Sequence, residues 1–313
     1  MDPLDFFKKY KLIATTENLQ NNSSTPRVCR FCGNDETKNT FNSDTHIIPE
    51  LLGENDFIHF EECDKCNSKF SGFESHLAIL FRPYLTMVGV KGKHRVPEFQ
   101  SRTLEKNENT RTIIKHKDNK IRYVFTSQKN DFLIDDENKK GSITFRLPPH
   151  KPILVYKSLV KIALTLLPKT EVSKYKNIFY WLSDSLNKDT HFPFAFVSIL
   201  LGSKFSIPFA ELYKTKRTIY KYHFLPELTL IIRFGNIVLQ IFLPLSNEFN
   251  FEKSHLKSPT LNLYPSYIWD EYKSITQFTF NQINLSRCTS VSYDETIHFA
   301  YAKADLNINL QSI

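Results

Sequence analysis

Four cysteines arranged as two matched pairs constrain the fold of this chain more than any other feature. Cys29 and Cys32 form one pair, Cys63 and Cys66 form the second, and thirty residues separate the pairs. A two-residue spacer lets both thiolates of a pair face one ion, and two such pairs are typical of a tetrahedral zinc site. A redox-active pair normally occurs once and begins a helix after a strand. The pattern therefore predicts a structural Zn²⁺ ion, with the fifth cysteine, Cys288, outside its site.

This zinc ion is expected to stabilise folding and not to catalyse a reaction. Four thiolates close the coordination sphere and leave no position for water. The segment 26–90 is short for a self-sufficient hydrophobic core. Metal binding supplies folding free energy to such segments, so we expect the ion to hold this one together.

Polar residues suited to catalysis lie between and after the cysteine pairs. The run T-H-I-I-P-E-L-L-G occupies residues 45–53, and Asn67 directly follows the second pair. Apolar residues at 73, 77 and 80 have helical spacing and predict an amphipathic helix with His76 near its middle, ending where Pro83 follows Arg82. The runs 41–48 and 57–60 are predicted strands, which gives the local order strand, loop, strand, helix.

Taken together, the motifs C-R-F-C, T-H-I-I-P-E-L-L-G, C-D-K-C-N and F-E-S-H-L-A resemble the HNH endonuclease family in its zinc-knuckle form. The resemblance covers about residues 26–82. It implies a ββα-metal module in which a hairpin and a helix hold one catalytic divalent ion, Mg²⁺ or Mn²⁺. The implied activity is hydrolysis of phosphodiester bonds in DNA.

The resemblance also implies a role for individual residues. His46 would be the general base that deprotonates the attacking water, Asn67 would hold the loop that orients His46, and His76 would be the metal ligand on the helix. A neutral imidazole titrates near neutral pH and can accept such a proton. Glu74 could replace or assist His76, but it lies two residues away and about 200° around the helix, so the two are not expected to share one ion.

Thr45 departs from the family pattern, in which an Asp, Glu or His commonly precedes the general base and completes the metal site. A hydroxyl is a weak ligand, so either Thr45 binds the metal through its oxygen or a water, or Asp44 reaches the metal instead. An extended strand would point Asp44 and His46 to the same face, which favours Asp44. The departure also leaves open a zinc-stabilised nucleic-acid-binding module without hydrolytic activity.

The net charge of +8 is distributed unevenly. Residues 1–90 carry 9 basic and 13 acidic side chains, whereas residues 91–130 carry 11 basic and 4 acidic side chains. A basic excess just after the motifs suits a polyanion such as DNA. The alternative is a solvated basic surface.

The remainder of the chain predicts further α+β structure. Predicted strands lie at 111–116, 120–126, 142–147, 194–201, 220–224, 228–233 and 237–242, and predicted helices lie at 156–167 and 171–186. We therefore divide the chain into a lead segment 1–25, an HNH nuclease module 26–90 and a larger α+β domain 91–313. The last would bind DNA or a regulatory ligand or protein partner. By analogy with bacterial antiviral defence systems, it could hold the nuclease idle until it senses a ligand.

The sequence gives no indication of a membrane segment or a signal peptide. An acidic residue stands at position 2, and the most apolar run, 228–245, is interrupted by Arg233, Gly235, Asn236 and Gln240. We expect a cytoplasmic protein.

Overall fold

A long helix, a six-stranded sheet and two three-stranded sheets form most of the computed structural model. The structure describes residues 5–18, 26–105, 108–117, 121–126, 131–184, 192–201, 204–217, 223–244, 246, 258–265 and 278–301. The predicted α+β fold class is confirmed.

The helices and strands have the following bounds. The α-helices are α1 (Asp5–Lys9), α2 (Asp64–Met87), α3 (Pro152–Leu166) and α4 (Lys176–Ser183), with 3-10 turns at Glu50–Leu52 and Val172–Tyr175. The strands are β1 (Tyr10–Thr15), β2 (Phe99–Glu105), β3 (Glu108–Lys117), β4 (Ile121–Thr126), β5 (Phe132–Asp135), β6 (Lys140–Arg146), β7 (Phe194–Leu200), β8 (Phe209–Thr215), β9 (His223–Phe224), β10 (Leu228–Phe234), β11 (Ile237–Phe242), β12 (Ser258–Pro259), β13 (Phe278–Asn284) and β14 (Asp294–Ala300).

The six-stranded sheet is antiparallel and has the order β1-β8-β10-β11-β7-β13. Its central hairpin turns at Gly235, whose φ of 55° is easily adopted by glycine. A Cβ at this position would lie 2.6 Å from Cδ2 of Leu85, so the same glycine lets α2 approach the sheet. The three-stranded sheets have the orders β14-β6-β5 and β2-β3-β4, and β9 and β12 form a short parallel pair.

Both faces of the six-stranded sheet are covered. On one side, α3 packs against β8 and β10 within the larger hydrophobic core. On the other side, Phe6 and Tyr10 of the N-terminal segment join a second cluster with Tyr213 and Tyr264. Because the two faces are buried, β10 and β11 are apolar along most of their length and do not alternate with polar residues.

The segment that carries the cysteines shares its core with the rest of the chain. One cluster of buried side chains runs from Cys29 and Ile48 through α2 to α3 and on to Phe299. The predicted lead segment also takes part, because β1 pairs with β8 in the six-stranded sheet. The described residues on either side of the expected boundary at residue 90 therefore bury apolar surface against each other.

Two predictions for the cysteine-bearing segment were wrong. The expected strands 41–48 and 57–60 are reduced to a single antiparallel bridge between His46 and Ile58. The predicted helix is present as part of α2, but it continues past Pro83 to Met87. Proline removes one helical hydrogen bond, and the burial of its own ring and of Tyr84, Leu85 and Met87 holds the last turn in place.

Most of the other predicted elements are present with shifted ends. The predicted helix 156–167 begins earlier, at Pro152, and 171–186 is a 3-10 turn followed by α4, with 185 and 186 outside the described residues. Of the predicted strand 220–224, only 223 and 224 are described, and they form β9. No helix in the described part of the chain is long and apolar enough to span a membrane.

Candidate functional site

The four cysteine side chains converge on one point. Their sulfur atoms all lie within 4.8 Å of one another, and Sγ of Cys32 is 3.8 Å from Sγ of Cys63. Tetrahedral coordination with Zn–S distances of about 2.3 Å places the sulfur atoms about 3.8 Å apart. The donor set and its spacing fit a zinc ion.

The backbone around the cysteines is shaped for this convergence. Gly33, with φ of 72°, lets the first pair turn back, and its N–H donates to the carbonyl of Cys29 at 2.8 Å. Cys63 is the N-cap residue of α2. A hydrogen bond from the Cys66 thiol lowers the pKa of Cys29 to about 5, with help from backbone N–H groups that include that of Cys63 and against the effect of burial. Cys29 is therefore disposed to be a thiolate, the form that binds metal.

His46 lies at the single bridge of the short hairpin. The N–H of Ile47 donates to the carbonyl of Phe57, and the N–H of His59 donates to the carbonyl of Thr45, each at 2.7 Å. These two bonds fix the backbone of His46, and its side chain remains about one-fifth exposed.

A buried asparagine, Asn55, sets the orientation of the His46 ring. Its Nδ2 donates to the carbonyls of Ile48 (3.1 Å) and Gly53 (2.9 Å), while its Oδ1 accepts the N–H of Phe57 (3.2 Å). Oδ1 also lies 3.5 Å from Nδ1 of His46. Because Nδ2 has two carbonyl acceptors, the amide cannot flip, and the atom that faces Nδ1 is an acceptor.

The tautomer of His46 follows from this contact. Nδ1 must carry the proton to bond with an acceptor, so in the neutral ring Nε2 holds the free lone pair. Nε2 lies 3.6 Å from Oε2 of Glu50. A proton taken up by Nε2 would therefore arrive beside a carboxylate.

The loop that precedes His46 is tied to the start of α2. The carboxylate of Asp64 accepts the N–H groups of Asn42 and Ser43, and hydrogen bonds from Thr40, from Ser43 and from these N–H groups hold its pKa well below the usual range. In the same loop Asp44 is exposed, whereas Thr45 is 2% exposed and its hydroxyl lies 3.5 Å from the carbonyl of Ser43.

Two further carboxylates, those of Glu62 and Glu74, are linked to His46 through Lys161. Nζ of Lys161 is 3.1 Å from Oε2 of Glu62 and 3.9 Å from Oε1 of Glu74, and it donates to the carbonyl of His46 at 3.3 Å. Burial raises the pKa of Glu62 to about 6. Burial likewise raises the pKa of Glu74, against the attraction of Lys161 and His46. Through Lys161, the Glu74 carboxylate is therefore linked to the backbone of His46.

His76 contacts a different part of the chain. Its Nδ1 accepts the backbone N–H of Lys151, at the start of α3, at 3.1 Å. In the neutral ring this contact places the proton on Nε2, so neither nitrogen offers a lone pair to a metal ion in this arrangement. Burial, with the charge of Lys151, lowers the pKa of His76. Of these two side chains on α2, Glu74 is the one that shares a partner, Lys161, with the backbone of His46.

Asn67 lies in the first turn of α2 and is half-buried. Its backbone N–H donates to the carbonyl of Cys63 at 2.9 Å. The side-chain contact to the His46 ring is made by Asn55, whereas Asn67 was expected to hold the loop that orients His46. The predicted role of Asn67 stays a prediction.

The basic segment begins beside the His46 loop. Nζ of Lys91 lies 2.9 Å from a carboxylate oxygen of Glu54, the residue before Asn55, and the carbonyl of Lys91 accepts the N–H of Glu54. Lys93 and Arg95 are exposed. Basic side chains are thus available next to the candidate site.

Comparison with known proteins agrees with this geometry. Residues 29–77 match the family model described as HNH endonuclease. The match begins at the first of the four converging cysteines, includes His46, Asn55 and Glu74, and ends one residue beyond His76. No curated protein and no solved structure matches the chain.

The sequence reasoning missed Asn55 and Lys161. A buried asparagine in a polar loop, G-E-N-D, has no local signal that separates it from a turn residue. Lys161 did offer a signal, because it stands inside the apolar run of α3, where an unpaired charge is costly.

Proposed function

We propose that the chain is a metal-dependent HNH-type endonuclease that hydrolyses phosphodiester bonds in DNA, with His46 as the general base. The proposal is supported by the family match at residues 29–77. The observation that carries it is the contact between Nδ1 of His46 and Oδ1 of Asn55, which leaves Nε2 free to accept a proton. Zinc, held by the four cysteines, is the structural ion.

In the proposed reaction, side chains of this protein accept and hold the proton of the attacking water. Nε2 of His46 takes the proton of the attacking water, and Asn55 keeps the opposite nitrogen protonated and the ring in place. The Glu50 carboxylate, 3.6 Å from Nε2, stabilises the proton there. Lys93 and Arg95 would hold the phosphates of the DNA backbone.

Carboxylates are the ligand type that a hard divalent cation prefers, and Glu50 and Glu74 lie near His46. Mg²⁺ in proteins is commonly bound by one or two carboxylates together with water and substrate phosphate. We assign to it Asp44, which is exposed, and Glu74, whose side chain is about one-fifth exposed. A bound Mg²⁺ or Mn²⁺ would polarise the scissile phosphate and stabilise the leaving oxygen.

The test is nicking of supercoiled plasmid with Mg²⁺ or Mn²⁺. We expect cutting that stops with chelator and falls on the order of a hundred- to ten-thousandfold in His46→Ala, because a general base contributes about that factor. His298→Ala, an exposed histidine on β14, is the matched control and should cut normally. His46→Ala cutting at wild-type speed would remove the assignment.

The metal ligands are separated in the same assay by varying the metal concentration. Glu74→Gln and Asp44→Ala should raise the metal concentration needed for half-maximal cutting, whereas His76→Gln should not. The reverse pattern would return the ligand role to His76.

A zinc-stabilised binding module without hydrolysis is the second candidate. The observation that favours it is Thr45, whose side chain is buried and whose hydroxyl lies near the Ser43 carbonyl. Plasmid that is bound but not cut at any Mg²⁺ or Mn²⁺ concentration would select this candidate.

A further inference from the structure

Lys161 is a charged residue in the interior of an apolar helix. It is 1% exposed, and its neighbours in α3 are the buried residues Val160 and Ile162. Removing an ammonium from water is costly, pairing with a carboxylate repays that cost only in good geometry, and an apolar residue of similar size is often at least as stabilising. Burial alone therefore does not explain Lys161, and the groups that its ammonium contacts indicate its role.

The partners of Lys161 come from three different segments around the proposed catalytic site. Glu62 immediately precedes the second cysteine pair, Glu74 lies on α2, and the carbonyl of His46 belongs to the hairpin. The ammonium thus joins the backbone of the proposed base to both carboxylates.

Charge in this cluster is not balanced one to one. Two carboxylates face one ammonium, and neither oxygen of Glu62 accepts a hydrogen bond from the residues that the structure describes. The 3.1 Å approach of Lys161 to Glu62 is an ion pair without hydrogen-bond geometry. The hydrogen bond that the ammonium does donate goes to His46.

Helix α3 is held at a fixed position against the zinc side of the segment. The guanidinium of Arg30, between the first two cysteines, donates to the carbonyls of Leu164 and Leu167 at the end of α3. Glu61 pairs with both Arg30 and Lys169. These contacts at the C-terminal end of α3 therefore help to fix the position of Lys161 relative to His46.

We propose that Lys161 is a positioning residue of the nuclease site: from α3, it holds the His46 backbone and the Glu74 carboxylate in their working arrangement. This inference rests on the proposed endonuclease function and extends it. It makes residues beyond 90 part of the catalytic unit.

The test compares three variants of the full chain. Lys161→Met leaves Glu62 unpaired and can fail to fold, so the decisive variant is Lys161→Met combined with Glu62→Gln, which removes the buried charge as well. The matched control is Lys157→Met. Lys157 is equally buried, lies one turn earlier on α3, and donates to the carbonyls of Trp181 and Asp184.

We expect the double variant to retain zinc and an unchanged KM for DNA, with kcat reduced at least about tenfold, because small displacements of catalytic groups cost on this order or more. Lys157→Met should keep the wild-type kcat. A zinc-loaded double variant with kcat within twofold of wild type would overturn the proposal, as would an equal loss in Lys157→Met.

A second measurement separates this inference from the endonuclease function. In protein labelled with ¹⁵N-histidine, the ring signals of His46, assigned by their loss in His46→Ala, should shift or split in the double variant and stay in place in Lys157→Met. Wild-type protein that does not cut DNA would refute the endonuclease proposal. Independently of that result, His46 signals that are unchanged in the double variant would refute the positioning role of Lys161.

Discussion

Replacing Asn55 with alanine would remove the side chain that orients His46 and closes its loop. Asn55 is 7% exposed and makes three hydrogen bonds to the backbone, at Ile48, Gly53 and Phe57. At a net value of about 1 kcal/mol for each bond, the loss is about 3 kcal/mol of stability. For a chain of this size that lowers the melting temperature by roughly 5 °C.

The same substitution should slow cutting more than its effect on stability explains. Without Oδ1 facing Nδ1, the proton of His46 is free to move to Nε2, and the ring loses its fixed orientation. We expect kcat to fall about a hundredfold at a temperature where the variant is fully folded, because misplacement of a catalytic group by about 1 Å has this effect.

Two further variants separate stability from catalysis. Asn55→Asp keeps an oxygen opposite Nδ1 but sets a carboxylate against the carbonyls of Ile48 and Gly53, so it should melt as low as Asn55→Ala and retain more of kcat. Asn262→Ala removes a buried asparagine whose Nδ2 reaches the carbonyl of Asp5, and it should lower the melting temperature only. Plasmid nicking and thermal unfolding measure both quantities. Asn55→Ala protein with the wild-type kcat would refute the reasoning.

Two other predictions concern zinc and DNA affinity. Elemental analysis should find one zinc ion per chain, and Cys29→Ser should lose the ion and unfold the segment around it, because metal binding and folding are coupled; wild-type protein without zinc and with four freely titratable thiols would contradict this. Replacing Lys93 and Arg95 with alanine should weaken DNA binding about equally for all sequences and reduce the slope of log affinity against log salt by roughly 0.9 per lost contact. An unchanged slope would show that Lys93 and Arg95 belong to a solvated basic surface that does not contact DNA.

The parts of the site that the sequence predicted are those encoded by short spacing. The two-residue spacers place Cys29 beside Cys32 and Cys63 beside Cys66, because a turn of that length leaves few alternatives. Apolar residues at helical spacing predicted the middle of α2 in the same way. Its extension past Pro83 was not predictable locally, because burial against other elements outweighs the missing hydrogen bond.

The strand order of the large sheet could not be predicted from the chain. Strand β1 near the N-terminus pairs with β8, about two hundred residues later, and β8 and β13 themselves gave no clear sequence signal. Pairing over such separation depends on which apolar faces are buried together, and this is a property of the assembled core.

The sequence by itself determined the metal-binding knuckles and the position of His46 among them, since their chemistry lies in residue types at fixed short intervals. Only the tertiary structure decided what surrounds His46. Asn55 lies nine residues away and Lys161 one hundred and fifteen, and each reaches it through packing of the hairpin and of α3. The atoms that contact a histidine determine which ring nitrogen carries the proton and how its backbone is held. Which atoms those are depends on the tertiary fold and not on the local sequence.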